Sequence, residues 1–405
     1  MLGLPYICKK SGWIGGFFST FVFASITWWT SLLIGRELNG DPRPSSAFDD
    51  NPYKSPTVPG SSSLARVRTP IKTFPDIARA AFGQRGTIAL SVVLYFELFA
   101  CLCVFLITMA DHLFVLFPTY TKNQHLLFVS ILSAIPTAVL KTPRLLSYLS
   151  AVGMLASIFV VLTLFFTAVA NGDIAEKVSK EENLNIDPPY HTLWDPSGLP
   201  IAFGLIAYTF SGHALVPSIF VSMEKPQDFD KMITCTFLIV ISCCLIVTVS
   251  GYYMFGNTVL DIVTISLEKS SSGVESEGTT LLSWMMIVTA FSKFTLSMFP
   301  LALGIEEIVA PYVPSDGVME WVSSGIKVAL IMLSLFVAIY IPSFSFICSL
   351  VGLICTMVVS CIFPAAAHLK LFGSSLSLFQ RSVDWIFVIF GSIMAIVGTI
   401  TTLKS

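Results

Sequence analysis

Residues 198–222 read Gly-Leu-Pro-Ile-Ala-Phe-Gly-Leu-Ile-Ala-Tyr-Thr-Phe-Ser-Gly-His-Ala-Leu-Val-Pro-Ser-Ile-Phe-Val-Ser. The run holds no Asp, Glu, Lys or Arg, and it exceeds the ~20 residues that cross the hydrocarbon of a bilayer. Yet its middle is Ser211-Gly212-His213, with Pro217 just beyond. Gly admits dihedrals outside the helix and Pro removes a backbone donor, so the run predicts a membrane helix broken at its centre. An unwound centre frees N–H and C=O groups. It also aims the partly positive N-terminus of a half-helix at the midplane, where a carboxylate could be received. Gly and Pro combine again in Met1-Leu2-Gly3-Leu4-Pro5-Tyr6, five spans earlier. Either motif alone is equally a packing kink. Two at matching places in two halves point to a site between those halves.

The rest of the chain supports lipid as the solvent. Of 405 residues 54% are hydrophobic and 12% charged, against roughly 25% charged in soluble domains, and the mean hydropathy is +0.80. The apolar runs are apolar all round rather than alternating, so helices and not barrel strands are expected. Spans are expected at about 13–35, 87–117, 125–140, 145–170, 198–222, 232–255, 279–309, 322–341, 344–369 and 383–403, after a helical stub at 1–9. The nine cysteines fall in or beside these runs without the spacing of a zinc site, and read as small apolar filler. The net charge of -2 carries no basic stripe for nucleic acid. There is no Asn-x-Ser/Thr sequon, and the N-terminal region reads as helix rather than a cleavable signal.

Three polar connections stand out. Residues 39–86 are rich in Pro, Ser and basic residues, whereas 171–197 and 256–278 are acidic on balance. Alternating the loops places 39–86, 141–144, 223–231, 310–321 and 370–382 on one side. All eight arginines (Arg36, Arg43, Arg66, Arg68, Arg79, Arg85, Arg144 and Arg381) fall there. The positive-inside rule makes that side cytosolic and the acidic loops luminal or external. The long basic connection reads as a solvated linker, or as a regulatory segment open to phosphorylation.

Five motifs carry a resemblance over nearly the whole chain. They are Gly3-Leu4-Pro5-Tyr6 with Lys10-Ser11-Gly12-Trp13; the run from Phe210 to Phe229, FSGHALVPSIFVSMEKPQDF; Gly251-Tyr252-Tyr253-Met254-Phe255-Gly256; Ser292-Lys293-Phe294-Thr295-Leu296-Ser297-Met298-Phe299-Pro300 with Gly304-Ile305-Glu306-Glu307; and Ile341-Pro342-Ser343-Phe344 with Phe363-Pro364. In these the chain resembles the amino acid/auxin permease family, and most of all its vacuolar and vesicular amino acid transporters. The resemblance implies an all-α integral membrane protein of the LeuT type, within the APC superfamily. One transporter domain over 1–403 would hold inverted five-helix repeats at 1–170 and 198–369, and an eleventh helix at 383–403. It also implies alternating access. Members of the family carry a half-helix and a tail before the Gly-Leu-Pro-Tyr motif, so the first helix is expected to be truncated in the chain as it stands.

The resemblance assigns Leu2, Gly3, Leu4 and Tyr6, and Phe210, Ser211, Gly212 and His213, to substrate binding. From the residues alone Ser211 could equally bond back to its own helix. His213 is either a buried histidine bonded to a neighbouring helix or a proton-sensitive group at the substrate. Glu97 lies about ten residues into its span, where a carboxylate must pair, be protonated or lie near an interface. Lys293 is deep in the span at 279–309. In the LeuT fold, helix eight borders a sodium site. An ammonium there, beside Thr295 and Ser297, would replace the cation and couple transport to protons. The other reading makes Lys293 a structural partner of Glu97 or of a carbonyl. Glu306 and Glu307, at the end of that span, read as solvated or gating carboxylates.

The expected function is secondary active transport of amino acids, neutral ones first, coupled to protons across a vacuolar, lysosomal or other endomembrane, with the plasma membrane open. A sensor that binds an amino acid without net transport is the alternative on the same fold. An enzyme is disfavoured, since metal-ligand spacing, Gly-x-Ser-x-Gly and a Walker motif are not found. A channel is disfavoured because no filter motif repeats. No cofactor is called for. The partners expected are an amino acid, protons and the lipid bilayer.

Overall fold

The computed structural model describes residues 1–39, 73–139, 143–172, 191–270 and 277–404. Most of the basic connection, with Arg43, Arg66 and Arg68, lies outside them, as do Asp173, Glu176, Glu181, Glu182 and Asp187 of the first acidic one. Among the described residues the regular elements are all helices. They are α1 (Leu4–Asn39), α2 (Phe74–Leu116), α3 (Lys122–Val139), α4 (Pro143–Asn171), α5 (Leu199–Thr209), α6 (Val216–Ser222), α7 (Phe229–Phe255), α8 (Val263–Ser270), α9 (Glu277–Val309), α10 (Asp316–Tyr340), α11 (Phe344–Phe372) and α12 (Leu378–Lys404).

Nine segments among the described residues are long and apolar enough to cross a membrane, with α5 and α6 together forming one of them. The tenth expected span, 125–140, is a helix but not one of the nine. α3 opens with Lys122-Asn123-Gln124-His125, which lowers its hydropathy. The end of the basic connection is helical as well. Thr73 caps α2 through a capping box with Asp76, and Phe74, Ile77, Ala78 and Ala81 form an apolar stripe against Phe363 and Ala367. Gly83 (φ 68) then turns the chain into the span proper.

α9 packs along α2 and α4, α1 along α5 and α7, and α11 against α5 and α2, with α12 on the outside of α11. The shared core includes Phe23, Leu102, Ile107, Ile206, Phe294 and Met357. The outer faces, such as Leu155, Phe166 and Val169 on α4, expose large apolar side chains as lipid requires. α1 is buried along a stripe of small polar residues. Ser19, Thr20, Thr27 and Ser31 satisfy their hydroxyls on carbonyls one turn back, so helices approach closely without stranding a polar group. α5 and α11 cross where their backbones nearly touch. A Cβ on Gly352 would lie 1.9 Å from the carbonyl oxygen of Gly204. At that crossing α11 widens into a π-helix, Gly352–Ile362.

The stub and the first long span are one helix broken at Gly12 (φ 76, ψ 172). The break is sealed by the segment entering α5. Trp13 and Ile14 donate to the carbonyls of Thr192 and Leu193, and Asp195 N donates to Ser11 O, each at 3.0 Å. A Cβ on Gly12 would sit 2.5 Å from the Leu193–Trp194 backbone. Gly12→Ala therefore lowers stability by more than about 2 kcal/mol, read as a fall in melting temperature of the purified protein. Gly212→Ala is the contrast. Its φ of -168 suits any residue and a Cβ there meets nothing within 4 Å, so the melting temperature stays within the error of the wild type.

In the second acidic connection Glu268 on α8 is 5% exposed; its Oε1 accepts from Ser283 Oγ while Oε2 has no donor. Burial pushes its carboxyl up to about 7, opposed by the Ser283 bond. The unfolded chain ionises Glu268 near the ordinary value of 4.5. Stability therefore falls as pH rises from there to about 7, by roughly 3 kcal/mol in total, and is flat above. Glu268→Gln removes that slope. The variant melts higher than the wild type at about pH 8 and equally at about pH 4.

Candidate functional site

The second predicted break is present. α5 ends at Thr209, Phe210 caps it, Ser211 and Gly212 are non-helical, a 3₁₀ turn spans His213–Leu215, and α6 begins at Val216 with Pro217 in its first turn. The first motif also brackets a helix start. Met1, Leu2 and Gly3 precede α1, and Pro5 occupies its first turn, where its missing N–H costs nothing. Leu2 O accepts from Val263 N at 3.2 Å, and Gly3 lies against the Phe344 ring and the Asp261 carbonyl.

Glu97 joins three elements. It is 5% exposed, and its Oε1 accepts from Ser211 Oγ at 2.5 Å, in the break, and from Thr356 Oγ1 at 2.6 Å, in the π-helix of α11. The Ser211 hydroxyl is thus bonded across to Glu97 rather than back to its own helix, a partner that neither sequence reading named. Cys101 lies one turn along α2 from Glu97, 3.5 Å from the hydroxyl of Tyr208.

His213 is fully enclosed and faces α1. Its Nε2 is 2.9 Å from Thr30 Oγ1, 3.3 Å from Ser31 Oγ and 3.2 Å from Thr27 O, and its Nδ1 has no partner. The Thr27 carbonyl can only accept, so Nε2 carries the proton of the neutral ring. Thr30 in turn donates to Ser360 O at 2.8 Å. This histidine is bonded to a neighbouring helix, one of the two readings of the sequence.

Lys293 stands in the middle of α9, and its side chain is accessible. The Met1 nitrogen is within electrostatic reach of it and of Cys244 and Cys348. Cys348 in turn reaches Cys101, and Cys101 reaches Glu97. No ion pair joins Lys293 to Glu97 among the described residues. These neighbours run from α9 through the first motif, α7 and α11 to α2. Gly212 adds open space at the break. Thr295 is buried and bonds back to Phe291 O at 3.2 Å, while Ser297 is half-buried.

The remaining predicted contacts pack around this region. Phe210 stacks on Phe237 and approaches Phe23. Leu4 belongs to the same apolar core as Phe23 and Phe210. Tyr6 sits beneath the ammonium groups of Lys9 and Lys10 at 5.5 and 5.3 Å. Beyond Gly3 a cavity of about 330 Å³ is lined by Asp111, Lys122, Asp261, Pro342 and Phe344. There Lys122 pairs with Asp111 at 2.5 Å and Ser345 donates to Asp261. Glu306 is held by Ser323 Oγ and faces Lys327 at 4.0 Å, and Glu307 is exposed. Among the described residues no group of His, Cys, Asp and Glu is arranged to hold a metal.

Sequence reading missed Thr356 and Thr30. A threonine inside an apolar run carries no spacing signal, and only the crossing of α11 with α2 turns Thr356 toward a carboxylate. Thr356→Val leaves Glu97 one donor short and costs about 1–3 kcal/mol, measured as a lower melting temperature. Thr356→Ser, which keeps the hydroxyl, restores most of it.

Comparison with known proteins gives a consistent picture. A family model described as transmembrane amino acid transporter protein matches residues 61–404. Among curated proteins of Arabidopsis thaliana, the chain is 30% identical to amino acid transporter AVT1C over 414 residues, which is 100% of this chain and 66% of that protein. It is 30% identical to amino acid transporter AVT1B, covering 100% of this chain and 67% of the relative. It is 24% identical to amino acid transporter AVT1H, covering 100% and 85%. The chain thus spans just under two thirds of the length of AVT1C. These relatives are named as transporters, not enzymes.

Proposed function

Since the chain belongs to the transmembrane amino acid transporter family, we propose that it is a secondary active carrier of amino acids that works by alternating access and is driven by protons. The observation that carries this reading is that both helix interruptions meet α11. Gly3, at the start of α1, lies against Phe344, and Glu97 ties the break at Ser211–Gly212 to Thr356. Unpaired N–H groups at the start of a helix suit the substrate carboxylate. The apolar surroundings, Leu4, Phe23 and Phe210, suit a neutral side chain.

In this reading residues 1–170 and 198–369 form the inverted repeats and α12 the additional helix. Closing the interior to one side and opening it to the other requires α1, α5 and α6 to shift against α2, α9 and α11. Glu97 and Lys293 are the ionisable groups placed to feel that shift. Glu97 is enclosed by protein and Lys293, though accessible, lies mid-span, so the charge of each is costly unless balanced by a proton gained, a proton lost or the substrate. Lys293 takes the role a bound cation would have, supported by Thr295 and Ser297. The membrane is an acidic endomembrane, vacuolar or lysosomal, with the arginine-bearing side in the cytosol.

The test is uptake of labelled amino acids into proteoliposomes under an imposed pH gradient, with and without sodium. Uptake of neutral amino acids that follows the gradient and ignores sodium is expected. Lys293→Gln should reduce gradient-driven uptake at least about tenfold, a loss of about 1.4 kcal/mol of coupling, while leaving exchange of internal for external amino acid. Sodium-dependent uptake at constant pH would sink the proton reading. Amino acid binding without flux in any gradient would identify a sensor instead.

A further inference from the structure

At the arginine-bearing end of the bundle, three helices bring together acids that this transport reading leaves unused. Glu37, near the end of α1, has no exposed surface, and neither of its carboxyl oxygens has a hydrogen-bond partner. Asp384, in the second turn of α12, is equally buried. Its Oδ2 lies 2.7 Å from His368 Nδ1 on α11, and its Oδ1 has no partner. Asp384 is the ionisable group whose charge acts on Glu37. α1 packs on the last part of α11, and that part packs on α12. The surroundings are apolar, with Leu32, Ile34, Leu38, Phe363, Ala367 and Leu371 close by.

The neighbouring charges are committed elsewhere. Arg36 is exposed, its guanidinium 5.8 Å from the Trp29 ring centre. Arg381 donates to the Gly373 carbonyl, and Lys370 is exposed. On α2, Asp76 is engaged in its capping box and Arg79 points outward. At the start of α7, Asp230 and Lys231 are exposed, Lys231 pairing with Asp228. No described lysine or arginine stands against the two carboxyls.

Two carboxylates in an apolar setting, three of their four oxygens without a donor, do not both stay ionised. One proton removes a charge and supplies the missing donor at once. We propose that Glu37, Asp384 and His368 form a proton-binding site separate from Glu97 and Lys293. Glu37 carries the proton as a carboxylic acid, and His368 holds the Asp384 carboxylate in place. The proton comes from water and returns to it, so only an O–H bond on Glu37 forms and breaks. The site fastens the end of α1 to α11 and α12, and its occupancy therefore weighs on how those helices sit. What the proton does for transport rests on the carrier reading; that the site binds one does not.

Infrared difference spectroscopy of the purified full chain across a pH titration tests this without any transport. The wild type should show the carbonyl stretch of protonated carboxylic acids at neutral pH, Glu268 contributing to it, and Glu37→Gln should remove one component of that band, which a Glu268→Gln background isolates. In Asp384→Asn the neighbouring negative charge is gone, so the Glu37 band should bleach at least about one pH unit lower. That shift decides the matter even where Glu37→Gln does not fold. A spectrum unchanged by both substitutions overturns the proposal. So does a band that responds to replacing choline with sodium at fixed pH, which would mark a metal-cation site. Failed proton-driven uptake with the expected bands would reject the carrier mechanism and leave this site standing.

Discussion

A backbone group left unpaired in hydrocarbon costs several kcal/mol, and this fold turns on how it interrupts helices without incurring that cost. At Gly12 the released donors of Trp13 and Ile14 pass to the carbonyls of Thr192 and Leu193. The segment that leads into α5 is thereby fixed against the bend in α1. At the second break the backbone bonds locally, Ser211 N donating to Tyr208 O and Leu215 N to Gly212 O, and the Ser211 hydroxyl bonds to Glu97. The first interruption is held by the backbone of another segment. The second is also tied to a carboxyl whose hydrogen bonding depends on its protonation. The second is where movement and chemistry can be joined.

The same constraint explains why α1 carries so many hydroxyls. It lies between α5, α7 and α11, and bulky side chains would hold those helices apart. Ser and Thr keep it thin, and bonds to carbonyls one turn back leave no polar atom stranded. Thr30 and Ser31 also reach His213, so α1 holds the far side of the second interruption. The paired backbones at Gly204 and Gly352 do similar work for α5 and α11. The π-helix that starts there gives Thr356 its direction toward Glu97.

The helices and the break at Ser211–Gly212 were legible in the sequence because both are local. Hydropathy over ~20 residues marks a span, and Gly with Pro inside it marks the interruption. The helix over residues 74–82 was missed, although Thr73 and Asp76 frame a capping box and the apolar spacing is helical. The basic residues of the connection hid it. Partnership was not local. Glu97 was visible as a costly carboxylate, but nothing in the chain's order says that Ser211 and Thr356 would supply its donors. His213 was visible as a polar residue in mid-span. Whether its ring turned inward to a substrate or sideways to Thr30 depended on the rotation of α6 about its axis. The pairing of Glu37 with Asp384 spans almost the whole chain. Each residue lies near the end of an apolar run, where a charged side chain commonly snorkels to water.

α11 is the element common to these polar sites. Its first turn meets Gly3 through Phe344, its π-helix meets Glu97 through Thr356, and its last turns hold Asp384 through His368. A change of protonation at Glu97 alters the bond to the middle of this helix. A change at Glu37 alters the contact at its end. Both also bear on α1, through His213 and through Glu37 itself. If the helices move as rigid pieces, the two groups report to the same pair of elements, and proton occupancy at one biases the geometry offered to the other. Coupling of that kind needs no continuous path between the sites. It needs only that α1 and α11 have two arrangements that differ in how well each carboxyl is satisfied.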